Sequence, residues 1–166
     1  TNPTPLAQND NFSIGENGTI SGNVFSNNGN GIDSDPDGDT FSVTAVAGVA
    51  GNVGTATAGS NGGLFTIGST GSLTFNHNGQ FDYLALGQTA TTTITYTITD
   101  ANGATSTATV SVLVTGANDA PVTVGVVANQ SGADSSSVSL NVSGFFADPD
   151  TSNALTFSHG GTLPPG

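Results

Sequence analysis

The chain contains no lysine, arginine, cysteine, methionine or tryptophan. The lack of cysteine excludes disulfides and leaves the redox compartment unread. The lack of lysine forbids Lys–Asn isopeptide cross-links, so metal binding is the remaining route to added stability. Twelve Asp and Glu residues give a formal net charge of −12. Polyanions such as nucleic acid and acidic membrane surfaces reward Lys and Arg, so no nucleic-acid partner is expected. No apolar run is long enough to span a bilayer, and no membrane insertion is expected. No signal peptide is seen, so the chain reads as a mature fragment or a piece of a longer precursor. Aromatic residues make up only 7% of the chain, mostly Phe among alternating apolar positions, which gives little material for a sugar-binding platform.

Against this shortage of cations stands a crowd of carboxylates, Asp33-Ser34-Asp35-Pro36-Asp37-Gly38-Asp39. Like charges held close repel, and burying them unpaired is costly. Only the N-terminal amine and two histidines could carry positive charge. The partners left are backbone N–H groups, water or a metal ion. A divalent cation that prefers six to eight oxygen ligands, Ca2+, is the expected cofactor. Asp at every second position sets Asp33, Asp35, Asp37 and Asp39 on one side of an extended loop, with Gly38 permitting a tight turn. An EF-hand is excluded, because the twelfth position is Thr44 rather than Glu and the flanks read as strand. An acidic loop facing solvent is the competing reading.

Low hydrophobic content (34%) and 24 glycines could suggest disorder. The patterning opposes it. Apolar Val, Ile, Leu and Phe alternate with Thr and Ser in short runs divided by Gly and Asn, which is strand and turn chemistry. Phe41 to Val46 alternates. Leu73-Thr74-Phe75, the turn Asn76-His77-Asn78-Gly79 and the run Phe81 to Leu84 read as a hairpin. Thr92 to Thr99 and Thr105 to Val114 form a clearer one around Asp100-Ala101-Asn102-Gly103. Ile94, Tyr96, Ile98, Val110, Val112 and Val114 are then the core positions, with threonines outward.

This spacing predicts an all-β fold, an antiparallel β-sandwich of about 100 residues. The first unit spans 1–116, a linker 117–121, and an incomplete second β module 122–166. An imperfect repeat supports the division: Asn9-Asp10 precedes Asp35-Pro36-Asp37 as Asn118-Asp119 precedes Asp148-Pro149-Asp150. The two units are expected in tandem.

Two further places could ligate metal. Asp100 and Asn102 sit in the hairpin loop, where capping of the turn backbone explains them equally well. Asn118 and Asp119 lie in the linker, which would gain stiffness from an ion, although a polar linker needs none. His77 and His159 are isolated and do not make a zinc site. Tyr83 and Tyr96 read as core or sheet-face residues. The sequons at Asn11, Asn17, Asn129 and Asn141 are expected by chance in such a composition. No nucleophile elbow, phosphate loop or acid/base pair stands out, so no enzyme is expected.

At these residues the chain resembles the bacterial cadherin-like repeats of large secreted adhesins, VCBS-type repeats included. The resemblance runs through Ala7-Gln8-Asn9-Asp10, Ser34 to Asp39, Gly79 to Tyr83, Tyr96 to Gly103 and Asn118-Asp119-Ala120-Pro121. The second segment is similar to a dystroglycan-type cadherin-like or Ig-type module at Val142 to Asp150 and Leu163-Pro164-Pro165-Gly166. The resemblance implies calcium at or near domain junctions, rigidifying a rod. It adds Glu16 and Asp10 as early-domain ligands and Asp148 and Asp150 as a second Asp-Pro-Asp site. That second site departs from the fuller pattern, with Thr151-Ser152-Asn153 in place of Gly-Asp.

The expected function is a non-catalytic, calcium-stiffened repeat of a secreted, extracellular or cell-surface adhesin or matrix fibre, serving cell adhesion or biofilm. Its partners would be neighbouring repeats or other copies of the chain, and cell-surface glycans or matrix. A second reading is a filament subunit polymerising by strand complementation of the incomplete module. A third is a carbohydrate-binding accessory module of a secreted enzyme.

Overall fold

The computed structural model describes residues 1–133 and 136–158. Among the described residues ten strands form, in chain order β1 (Asp10–Gly15), β2 (Thr19–Asn23), β3 (Phe41–Val46), β4 (Thr57–Ala58), β5 (Leu64–Ile67), β6 (Ser72–Asn76), β7 (Thr89–Asp100), β8 (Thr105–Thr115), β9 (Val122–Thr123) and β10 (Phe146–Ala147). Two four-stranded sheets, ordered β1-β8-β7-β3 and β2-β6-β5-β4, make the sandwich. All its pairings are antiparallel except β1 with β8, which run parallel from Asp10↔Val110 to Gly15↔Thr115. Closing that one pair in parallel lets the chain enter and leave the domain on adjacent strands, bringing Glu16 beside Thr115.

The β7–β8 hairpin follows the alternation of its sequence. Ile94, Tyr96 and Ile98 are buried against Val110, Val112 and Val114, while the intervening threonines face out. Thr92 is the exception: it is buried, donating its hydroxyl to the Gly62 carbonyl at 2.7 Å and accepting from Asn61 N–H. The opposing sheet contributes Ile20, Phe65, Ile67, Leu73 and Phe75 to the same core. Phe65 and Phe75 meet with centroids 4.7 Å apart.

Residues 81–84 form turns, where the sequence pattern predicts a strand paired to β6. The β6 edges are already taken by β2 and β5, so no ladder position remains. Phe81 and Leu84 are buried all the same, with Phe81 set against Phe75. Their apolar spacing reflects burial of a turn rather than a pleat. Tyr83, between them, is 43% exposed and belongs to neither core nor sheet face.

Among the described residues beyond Pro121, the regular structure is the β9–β10 pair and a short helical turn at Ser143–Phe145. Val122, Val124, Val126, Val138, Leu140 and Phe157 stay exposed there. Thr151 ties this segment to the sandwich, its N–H and hydroxyl both donating to the Tyr83 carbonyl at 3.1 and 3.0 Å. His159 and Leu163 to Gly166 lie outside the described residues.

Candidate metal centres

The aspartate run does not stay on one side of the chain. Leu6 and Ser34 exchange both backbone hydrogen bonds, which holds Asp33 facing inward. A turn then closes from Asp35 carbonyl to Gly38 N–H, with Gly38 at φ +82°, a conformation glycine adopts without strain. Asp35, Asp37 and Asp39 are left as a separate group, each offering one carboxylate oxygen within 4.8 Å of the others.

β-strand register adds to this group. Phe41 pairs with Asp100, so the start of β3 delivers Asp39 beside the β7–β8 turn. Asn102 donates its side-chain N–H to Asp39 and to Asn2 Oδ1. Asp100 accepts from Asn2 at 2.8 Å and from the backbone of Asn102 and Ala104 at 2.9 Å. Burial opposes ionisation of Asp100, but the hydrogen bonds from Asn2 and the loop amides outweigh it and hold the carboxyl below its usual range. The neighbouring Asp37 holds the Asp35 carboxyl low, and Asp35 in turn pushes Asp37 up to about 6. The buried Asp35 Oδ2 has no hydrogen-bond partner.

A second group forms at the other end of the β7–β8 hairpin. Eleven residues of β8 separate the two, roughly 35 Å of extended chain. Glu16 follows β1 and is 1% exposed. Its Oε1 accepts from Ala117 N–H at 2.9 Å, and its Oε2 is buried without a partner. Asp150 is equally buried: Oδ2 accepts from Asp119 N–H at 3.1 Å and from Asn153 at 2.7 Å, and Oδ1 has no partner. Asp148 turns its Oδ1 back onto Asp150 N–H. A surface cleft lined by Asn118, Asp119, Asp148 and Asn153 opens alongside. Burial, then the nearby charges of Asp119, Asp150 and Asp82, push the Glu16 carboxyl up against the opposing Ala117 hydrogen bond.

Asp10 and Asp33 join neither group. Both turn into the sandwich around the Tyr96 hydroxyl, which lies 2.9 Å from Asp33 Oδ2. The ten remaining candidates divide between the two ends: Asp35, Asp37, Asp39, Asp100 and Asn102 at one, and Glu16, Asn118, Asp119, Asp148 and Asp150 at the other. Three neighbours escaped the sequence reading. Asn2 precedes a proline as the linker Asn118-Asp119 nearly does, and that likeness could have marked it. Asp82 lies inside the family-like run Gly79 to Tyr83. Asn153 stands where the fuller aspartate pattern is broken. His77 merely braces its own turn, its Nδ1 accepting from Gly79 N–H.

Among the described residues, every buried side-chain nitrogen or oxygen without a partner is a carboxylate oxygen, on Asp10, Glu16, Asp35 or Asp150. Such atoms are rare because each forfeits its solvation for nothing. Three of the four lie in the two end groups, and the chain has no Lys or Arg to pair them. Both donor sets are all oxygen, carboxylates with amide carbonyls, which suits a hard divalent cation such as calcium.

The bacterial cadherin-like domain family matches residues 2–116, so both the aspartate cluster and Glu16 fall inside the matched region. No curated protein matches the chain. Among solved structures, a nucleoside hydrolase-related hypothetical protein from Saccharophagus degradans, associated with carbohydrate metabolism, is similar at 18% identity and a TM-score of 0.39. The similarity covers 69% of this chain and 26% of that one, so the chain spans about a quarter of its length. A likeness that faint carries no argument about activity.

Proposed function

Because this chain belongs to the bacterial cadherin-like domain family, we propose that it is a non-catalytic, calcium-binding structural repeat of a secreted adhesin or extracellular matrix fibre. The observation that carries this is the pair of buried carboxylates at the junction, Glu16 and Asp150, each with one oxygen left without a partner. They come from the sandwich and from the segment beyond it, and the linker residue Asp119 lies between them. Calcium bound there would cancel their mutual repulsion and tie the three stretches of chain together. Glu16 positions the linker through Ala117, and Asp150 positions it through Asp119. At the far end Asp35, Asp37, Asp39 and Asp100 would hold a second ion, with the Asn102 and Asn2 side chains orienting the carboxylates.

Domains of this family are typically non-catalytic and extracellular. No helix among the described residues is long and apolar enough to cross a membrane. Ions at both ends would make a stiff spacer, with adhesion or biofilm architecture as its use and neighbouring repeats as its first partners. Calcium stoichiometry by isothermal calorimetry tests the reading. Binding at both ends, lost in part with Glu16→Gln and in part with Asp35→Asn, is expected; no calcium binding at millimolar concentration would sink it.

A second reading rests on the exposed apolar residues after Pro121 and the free edges of β9 and β10. A strand from another copy could pair there and cover them, giving a filament. Sedimentation of a monodisperse monomer at high concentration would reject it. Glycan or matrix binding has less support, since Tyr83 stands alone as an exposed tyrosine.

A further inference from the structure

The carboxylates gather at the ends of the sandwich and leave its broad side neutral. In the sheet β1-β8-β7-β3 the acidic strand residues are Asp10 and Asp100, and both are buried. The outward positions are Asn11 and Ser13 on β1, the alternate threonines of β7 and β8, Ser111 and Leu113. A chain of net charge −12 therefore presents a wide face that carries none of it. Hydroxyls on this face satisfy one another. Thr97 and Thr107 meet at 3.0 Å, Thr44 and Thr99 at 2.6 Å, and Thr93 donates to Ser60 at 3.0 Å. A hydroxyl already bonded loses little when water leaves, and the threonine methyls add apolar surface. Leu113 is 40% exposed here and rims a shallow groove with Asn11, Phe12, Ser13, Thr91 and Ser111. The opposite sheet, β2-β6-β5-β4, is equally free of charge, but its strands hold only five, five, four and two residues. No large apolar side chain is exposed on it.

We propose that the outer face of β1-β8-β7-β3 docks on the same face of a second copy of this chain, so that two domains pair side by side. Charge and chemistry select the partner. A charged surface finds no counter-ion on the face, and no aromatic side chain at its outward positions gives a sugar a ring to stack on. A second copy brings a neutral face of the same size, with Leu113 and its groove present on both sides, which is the self-complementary form an isologous contact needs. The acidic groups lie near the two ends of β8, about 18 Å from its middle, while the Debye length in physiological salt is about 8 Å. At the centre of the contact their repulsion is largely screened. At about 16 Å² per strand residue the four strands offer about 550 Å² per copy, or about 1,100 Å² in the pair. That area fits a weak, reversible dimer. The contact uses neither end group, so it stands apart from the calcium reading.

Sedimentation of the full chain in chelator tests this, with calcium removed so that the metal reading has no bearing on the result. Dimer is expected to grow from a minor to the main species between about 10 μM and about 1 mM. Thr95→Asp and Leu113→Asp each set a carboxylate at an exposed position of the face and should weaken the pair at least about tenfold. Thr74→Asp, on the opposite sheet, should leave it unchanged. Thermal melting confirms that each variant folds. A wild type that stays monomeric at about 1 mM overturns the proposal. So does a dimer that Thr95→Asp and Leu113→Asp leave intact, or species that grow beyond a dimer with concentration, which belong to the free edges of β9 and β10. Methyl NMR of the unmutated chain gives a second reading. Shifts on dilution are expected at Leu113, Thr95 and Thr107, and shifts confined to other residues reject this face.

Discussion

The two ends of the sandwich solve one electrostatic problem in different ways. At the Asp35–Asp39 end all the carboxylates but Asp100 come from one short stretch, and solvent reaches Asp37 fully and Asp35 and Asp39 in part. Repulsion is relieved there by hydration and by the Asp37 and Asp39 amides, which donate to Asp35. At the junction end Glu16 and Asp150 are sealed from water and drawn from segments far apart in sequence. Hydration is unavailable, so their partnerless oxygens depend more heavily on a cation. An exposed acidic cluster survives without an ion, while a buried one is a standing cost until it is filled.

Chelation should therefore produce the largest effect. An ion whose dissociation constant lies a hundredfold below its free concentration adds about 2.7 kcal/mol, so removing it should lower the melting temperature by about 8 °C. Differential scanning calorimetry with and without chelator measures this. An unchanged melting point would remove calcium from the comparison altogether.

Next in size is Asp100→Ala, at the exposed end. It frees the Asn102 and Ala104 amides and the Asn2 side chain at once, and should cost about 5 °C even in chelator. A loss seen only with calcium would mean that Asp100 serves the ion and not the turn.

Acid should separate the ends. Asp37 gains a proton as pH falls through about 6, and an ion must displace it. Affinity at this end should fall up to tenfold per pH unit below that point, read by calorimetric titration of Glu16→Gln, which isolates it. A flat profile would show that Asp37 is not a ligand.

Glu16→Gln itself should change sign with calcium. In chelator it removes a buried charge while keeping an oxygen for Ala117 N–H, and should raise the melting point by about 3 °C. In calcium it should lower it. A loss under both conditions would mark Glu16 as purely structural. The smallest effect belongs to Thr151→Val, which deletes one of two bonds to Tyr83. It should leave the global melting point within about 1 °C while speeding amide exchange in residues 146–153.

Much of the fold could be read from local pattern. Ile94, Tyr96 and Ile98 alternate with threonines, so any strand there must bury that face, and β7 does. The same reasoning failed at Phe81 to Leu84, because alternation cannot reveal that both β6 edges are occupied. The candidate sites divide similarly. Asp35, Asp37 and Asp39 are neighbours in sequence and stay neighbours in space. Asp33, two residues away, was grouped with them, yet the Leu6–Ser34 bridge turns it to Tyr96. Asp82 and Asn153 lie in stretches the sequence had marked, but their proximity to the junction exists only after folding.

By itself, then, the sequence determined the strand-forming alternation, the turns and a charge balance that leaves its carboxylates to amides, protons or a metal. Those follow from side-chain chemistry within a few residues or from composition. Only the tertiary structure decided which carboxylates lose their water. It set Asp10 and Asp33 inward on Tyr96, and Glu16 against the linker across a hundred residues of chain. Desolvation depends on what packs around a group, and only the folded chain settles that.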